Sequence, residues 1–345
     1  MLQNNLAVLH ANNYTHTIPR EFAGEHVGVN YTVNDSAYIE VEGKTVEIGT
    51  GEKSPDNPYE LKSVSGNLVS AGRNLFDGVL RAGYWAHNIS PTVFQSSGEV
   101  TSSNLIMVGG SLNCYLSKDG SNANVSNIRF FDKNKTFISE AYNRGAFTTP
   151  VNCAYVSFHG LNALFNGLFQ LEFGSAATPY IPFKGISTAT IPLISTGDKL
   201  IINNKLKKAW VYRDRERLTL NGSEIWRIQV EEYWVTLPHA NIYPATNPFC
   251  THFEYSETTP RPQYYFRKAA GNQNFLFRYD FGIGGVENFK LWLSENPITI
   301  EYPLANPYYE ETPYEEIKTY YPYTQVYTTS EIQPTIHTEV RTWKI

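Results

Sequence analysis

Along most of this chain, apolar and polar positions alternate in short runs closed by Gly, Pro, Asn, Asp or Ser, the pattern of β-strands with one buried face. In the middle of the chain the runs are Asn127–Phe131, Thr136–Ser139, Cys153–His159 and Gly167–Phe173, separated by turns such as Lys118-Asp119-Gly120 and Asp132-Lys133-Asn134. Within Cys153–His159, Ala154, Val156 and Phe158 fall on one face and Tyr155 and Ser157 on the other. Later runs are Lys199–Asn203, Leu206–Arg213, Ile225–Val230, Tyr233–Leu237, Gln263–Arg267 and Phe275–Tyr279. Nearer the ends, Ala37–Glu47 alternates around Glu42-Gly43-Lys44 and predicts a small hairpin. Pro334–Trp343 sets Ile336, Thr338 and Val340 against His337, Glu339 and Arg341, an edge strand.

One stretch breaks the two-residue period. Val286, Phe289, Trp292 and Leu293 recur on one helical face, with Glu287, Lys290, Ser294 and Glu295 on the other. Asn296 precedes Pro297, which disfavours a helical residue before it, and Ile298, Ile300 and Tyr302 then alternate as a strand. The pattern predicts a helix over 286–296 lying on a β core. The expected fold is mainly β: two antiparallel β-sandwich, jelly-roll-like domains with one short covering helix in the C-terminal domain. The turn-rich connector IGTGEKSPDNPYELKSV and the Pro- and Gly-containing TPYIPFKG suggest three parts. These are a docking arm with hairpin and linker (1–65), a carbohydrate-binding-like sandwich (66–185) and a C-terminal β domain (186–345).

Composition sharpens this picture in a few places. With 345 residues, the chain can bury two cores, and its 14% aromatic content, 24 Tyr and 19 Phe among it, suits strands. A net charge of −5, with both signs interspersed, disfavours nucleic acid. Cys114, Cys153 and Cys250 are odd in number and widely spaced, which argues against a disulfide framework or a zinc site, so no metal and no cofactor are expected. No basic, apolar leader and no membrane-length apolar run is present, so synthesis in a reducing cytoplasm without membrane insertion is the expectation.

Candidate chemistry is saccharide recognition, which uses aromatic faces against C–H groups and planar polar groups for hydroxyls. Tyr84, Trp85, His87 and Asn88 offer both in one short stretch, against a competing reading in which Trp85 is core. Tyr264 and Tyr265, near Arg261 and Arg267, form a second candidate. The charged run Arg213–Arg217 reads as a solvated hairpin, although its guanidinium groups suit a phosphate-bearing teichoic acid. A glycosidase needs two facing carboxylates, and nothing in the spacing of Glu224, Glu231, Glu232 and Asp280 selects a pair. His159, His239 and His252 lie far apart in sequence and no catalytic motif accompanies them, so no catalytic residue is assigned and an enzyme is not expected.

Several strings together resemble tail and baseplate proteins of bacteriophages and prophages of Gram-positive bacteria. They are VEIGTGEKSPDNPYELKSV (Val46–Val64) with NLFDG (Asn74–Gly78), FQLEFGSAATPYIPFKG (Phe169–Gly185), VENFKLWLSENPITIEYPLANP (Val286–Pro307) and TYYPYTQVYTTSEIQPTI (Thr319–Ile336). The second is similar to the ending of a carbohydrate-binding-like jelly-roll module, although Phe173 and Phe183 stand where an acidic residue or glycine and a tyrosine are commoner. The resemblance covers roughly residues 37–340 and lacks the long N-terminal tail-hub region of many relatives. It implies a virion structural protein of the tail tip or baseplate, homotrimeric, contacting other tail proteins and adhesive to host cell-wall glycan or teichoic acid. The alternatives are a polysaccharide-degrading tail enzyme and a purely structural spacer or decoration protein.

Overall fold

β-branched and aromatic residues placed at every second position, with turn formers between, make this chain a succession of strands. The computed structural model describes residues 7–8, 38–85 and 94–339, apart from 124, 126, 143–144, 162–164, 205, 230–231, 237–246, 258–262, 269–273, 280–284, 319 and 321–323. The first strands are β1 (Ala7–Val8), β2 (Tyr38–Glu42), β3 (Thr45–Ile48) and β4 (Glu60–Ala71). There follow β5 (Leu80–Trp85), β6 (Phe94–Ser102), β7 (Ile106–Met107), β8 (Asn113–Lys118), β9 (Ser121–Asn122) and β10 (Asn127–Phe131). Then come β11 (Phe137–Ala141), β12 (Ala146–Thr148), β13 (Tyr155–Leu161), β14 (Phe169–Phe173), β15 (Ile186–Ile194), β16 (Lys199–Asn203) and β17 (Lys208–Leu220). The last part holds β18 (Trp226–Gln229), β19 (Glu232–Thr236), β20 (Phe249–Cys250), β21 (Glu254–Tyr255), β22 (Tyr265–Lys268), β23 (Asn274–Arg278) and the helix α1 (Gly285–Glu295). It closes with β24 (Ile298–Thr312), β25 (Gln325–Thr328) and β26 (Thr335–Glu339). The fold is mainly β and antiparallel, as expected; among the described ladders the exception is the parallel pair β21 and β22.

Three apolar cores organise these strands. The middle core lies between the sheet ordered β11-β10-β13-β6-β5 and the smaller sheet β12-β8-β14, and is filled by Phe130, Phe158, Phe169, Leu116 and Leu171. The central core lies between β4, β15 and β25 on one side and the sheet β20-β24-β17-β16-β2-β26 on the other, with Ile39, Val41, Leu68, Ile191, Leu200, Ile202 and Val211 inside. The C-terminal core joins the sheet β18-β19-β23-β22-β21, α1 and the adjoining ends of β17 and β24.

As expected, the helix buries Phe289 and Leu293, with Val286 and Trp292 half-buried against the same core. Phe289 lies 4.7 Å from the Trp226 ring and 4.4 Å from Tyr233. Asn296 closes the helix by donating its backbone N–H (2.8 Å) and its side-chain amide (3.1 Å) to the Trp292 carbonyl, just before Pro297.

Two local expectations are corrected. Ala37–Glu47 is not a hairpin: β2 pairs with β16 and β26, whereas β3 pairs with β4, so the chain changes sheets at Gly43-Lys44. There the Gly43 N–H is held by the Asp198 carbonyl at 2.8 Å, and a Cβ on Gly43 would stand 2.0 Å from the Ser195 carbonyl oxygen. Arg213–Arg217 is not a hairpin either. It is the interior of the strand β17, and Arg215 is buried. Charge alternation does not mean exposure here: the strand runs between two cores, where Arg217 pairs with Glu301 and Arg215 donates to the Asn247 carbonyl and lies over the Phe249 ring.

The pair β17 and β24 spans those two cores. Ala209–Arg213 pairs with Tyr308–Thr312 over the central core, and Arg215–Leu220 with Ile298–Pro303 over the C-terminal core. Between them the register breaks, with 304–307 opposing Asp214. Pro303 and Pro307 flank this break, where a missing N–H costs no ladder bond. On the other strand, Asp198 Oδ1 accepts the freed N–H groups of Asp214 (2.8 Å) and Arg215 (3.1 Å).

β4 runs continuously from Glu60 to Ala71, bonding β3 at one end and β25 at the other, with β15 along its opposite edge. The expected N-terminal arm lies outside the described residues, except Ala7–Val8, which pairs with Gln325–Val326.

Candidate functional site

The expected saccharide cluster is described only in part. Tyr84 and Trp85 end β5, the edge strand of its sheet, opposite Gln95 and Phe94, and His87 and Asn88 lie outside the described residues. At the second candidate, Tyr265 is 2% exposed and donates its hydroxyl to Glu232 Oε1 at 2.8 Å. Arg267 holds the same carboxylate with two bonds of 2.9 and 2.7 Å. Tyr264 is half-buried, its ring 5.3 Å from that of Tyr279. The two tyrosines therefore do not form one open surface.

The carboxylates weighed for hydrolysis are tied to local structure. Glu224 accepts the N–H groups of Asn221 and Gly222 and the Trp226 indole, shaping the turn between β17 and β18, and Glu232 holds Tyr265 and Arg267. Glu231, Asp280 and His239 lie outside the described residues. His252 is buried beside Trp292, and burial lowers its pKa to about 4. Burial pushes the thiols of Cys153 and Cys250 up to about 12 and raises that of Cys114 as well, so all three stay protonated.

A partly exposed aromatic group lies elsewhere, on the outer face of the central sheet, where Trp210 and Tyr212 are half-buried and Ile201 is buried beneath their row. In β17, Ala209 and Val211 point into the core, so Trp210 and Tyr212 point away from it. Registry sets Ile201 and Glu311 beside Trp210, and Lys199 and Tyr309 beside Tyr212. The Tyr212 and Tyr309 rings stand 5.2 Å apart at 52°, Tyr309 being 55% exposed. Trp210 and Tyr212, two residues apart on one strand, have backbones about 6.6 Å apart. Further along the sheet, Glu40 lies opposite Ile201 and Glu42 opposite Lys199, with His337 opposite Glu40.

The charges on this face are paired. Lys199 Nζ is 2.7 Å from Glu40 and 4.0 Å from Glu42, and Lys208 Nζ is 3.3 Å from Glu311. Among the described residues, Glu40, Glu42 and Glu311 face two ammonium groups, with Asp214 beside Tyr212, and the surface is acidic. Burial, then the neighbouring Asp214 and Tyr309, raise the Tyr212 pKa, so its phenol is kept as a hydrogen-bond donor. A row of rings flanked by donors and acceptors along a sheet is suited to an extended polar chain carrying C–H faces.

Sequence reading found β17's first half as a strand but did not single out Trp210, Tyr212 or Tyr309. The signal was present in Lys208–Arg213, where small and β-branched residues alternate with rings. Tyr309 could be joined to them only through the long-range pairing of β17 with β24.

Comparison with protein-family models, curated proteins and solved structures finds no match to this chain. The resemblance to phage tail proteins therefore rests on its strings, whose residues hold one another. Asn74 of NLFDG accepts the N–H groups of Phe76 and Leu171 and donates to the Phe169 carbonyl. Glu172 takes the Thr178 N–H at 2.9 Å and its hydroxyl at 2.6 Å, while Gln170 accepts the Ile181 N–H at 2.8 Å. The T-P-Y-I-P segment is thereby strapped across β14. Tyr327 of the last string packs edge-on to Phe173 at 4.8 Å and donates to the Met107 carbonyl, and Gln325 donates to the carbonyls of Gly72 and Arg73. These residues close the middle sandwich and do not form a ligand surface.

Proposed function

We propose that this protein is a non-enzymatic structural component of a phage tail or baseplate that adheres to host cell-wall polysaccharide. The observation that carries the binding part is the row of half-buried Trp210 and Tyr212 with exposed Tyr309 on the outer face of the central sheet. The virion context rests on the four strings of resemblance. An acidic surface repels a polyphosphate backbone, so the reading favours a neutral or amino-sugar glycan over teichoic acid. Several copies on one tail would convert weak single-site contacts into firm attachment, which suits a homotrimer.

The test is incubation of the purified chain with Gram-positive cell walls, with bound protein and soluble sugar both measured. Retention without sugar release is expected. Release of oligosaccharides would establish a depolymerase instead, and absence of retention would leave a spacer or decoration protein.

A further inference from the structure

Three metal-ligating side chains converge at the β26 edge of that same face. Glu40 and Glu42 are two residues apart on β2, so both carboxylates leave the outer side of the sheet, and His337 stands directly across from Glu40 on β26. One ligand atom from each residue lies within 4.8 Å of the others. The convergence is set by strand register and not by loops, so its geometry is restrained before any ion arrives.

His337 carries the second observation. Its Nε2 is shut off from solvent and has no aligned hydrogen-bond partner, although Glu42 Oε1 stands 3.0 Å away. A proton shared by the two groups satisfies such a contact, and so does a cation bound by both, for which Glu40 supplies a third donor beside them. Two donors on one tetrahedral Zn²⁺, each about 2.0–2.2 Å from the ion, stand roughly 3.4 Å apart. Glu42 and His337 already have close to that spacing, and a Glu40 oxygen lies within 4.8 Å of both. Lys199 competes for the same carboxylates, with its ammonium 2.7 Å from Glu40 on a flexible, 37% exposed side chain.

We propose that Glu40, Glu42 and His337 bind a divalent ion of the Zn²⁺ class, displacing Lys199, with a fourth position open to solvent. Mixed carboxylate and imidazole donors suit Zn²⁺, whereas Ca²⁺ and Mg²⁺ take oxygen ligands. The ion would clip the edge strand β26 to β2. This inference is independent of what the aromatic row binds.

The experiment is calorimetric titration of the full chain, free of any histidine tag, with ZnCl₂ and separately CaCl₂. It is joined to thermal melts of the wild type and of His337→Ala, Glu42→Gln and Lys199→Met. One Zn²⁺ per chain is expected and no Ca²⁺. His337→Ala and Glu42→Gln should each weaken Zn²⁺ binding by about tenfold or more, a loss that even outer-shell partners of a metal produce. Lys199→Met should bind Zn²⁺ more tightly, and added Zn²⁺ should restore any melting temperature that variant loses. Absence of Zn²⁺ binding, or binding indifferent to His337→Ala, would overturn the proposal. So would a Lys199→Met variant that is destabilised and not rescued by Zn²⁺, which would make the cluster an ion-pair network centred on the lysine.

Discussion

A carboxylate with no solvent exposure persists only where a counter-charge and hydrogen-bond donors replace its water, and Glu301 meets that condition. Arg217 Nη2 lies 2.8 Å from its Oε2, Ser195 donates to the same oxygen at 2.7 Å, and Thr45 donates to Oε1 at 2.7 Å. Arg217 in turn donates to Ser63 at 2.6 Å. Glu301→Ala should therefore cost about 3 kcal/mol in denaturant unfolding, because it leaves a half-buried guanidinium and the hydroxyls of Thr45 and Ser195 without their acceptor. The double change Glu301→Leu with Arg217→Met should recover much of that loss; failure to recover it would show that the hydroxyls, and not the charge pair, dominate. His252 gives the matching prediction for acid. Burial holds its folded pKa near 4 against an ordinary 6.5, so the folded state takes up fewer protons than the unfolded. Its contribution is complete above pH 6.5 and is lost as pH falls towards 4, reaching about 3 kcal/mol. Urea unfolding of His252→Gln across that range should show a shallower loss than the wild type. Equal slopes would place the acid sensitivity elsewhere.

Among the elements, α1 and the strand after it were the most legible in sequence, since Phe289, Trp292, Leu293, Asn296 and Pro297 encode face, end and exit locally. β10 was found with its full extent for the same reason. Pairing that spans the chain was not legible: β2 joins β26, and β25 joins β4, because backbone hydrogen bonds carry no residue code. This is also why Glu40, Glu42 and His337, at opposite ends of the chain, and the Tyr212–Tyr309 pair escaped notice. The break in β17 and β24 was half visible, as Pro303 and Pro307, but its satisfier, Asp198, was not. Asp198 is buried; desolvation raises its pKa, opposed by the N–H groups of Ser195, Asp214 and Arg215 and by Arg213. Asp198→Ala should destabilise by about 3 kcal/mol, through buried N–H groups left without an acceptor. Amide exchange should quicken at Asp214 and Arg215 first; unchanged protection there would mean that another acceptor takes over.

At the scale of the whole molecule, three cores are bound together by elements that belong to two of them at once. β17 and β24 join the central and C-terminal cores, while β4 and β25 join the central and middle ones, Tyr327 reaching into the latter. No helix among the described residues is long and apolar enough to cross a membrane. Such a braced body suits a rigid part that presents one sheet face outward, and the central proposal is that this face, through Trp210, Tyr212 and Tyr309, holds a cell-wall glycan. The most direct test is sedimentation binding of the full chain to purified Gram-positive walls, before and after extraction of teichoic acid. Wild type would be compared with Trp210→Ala, Tyr309→Ala and Trp85→Ala, each checked for an unchanged melting temperature. The account predicts that Trp210→Ala and Tyr309→Ala each weaken binding by about tenfold, the loss of roughly 1.4 kcal/mol of ring contact. It also predicts that Trp85→Ala binds as wild type and that extraction of teichoic acid leaves affinity unchanged. Undiminished binding by Trp210→Ala and Tyr309→Ala would contradict it.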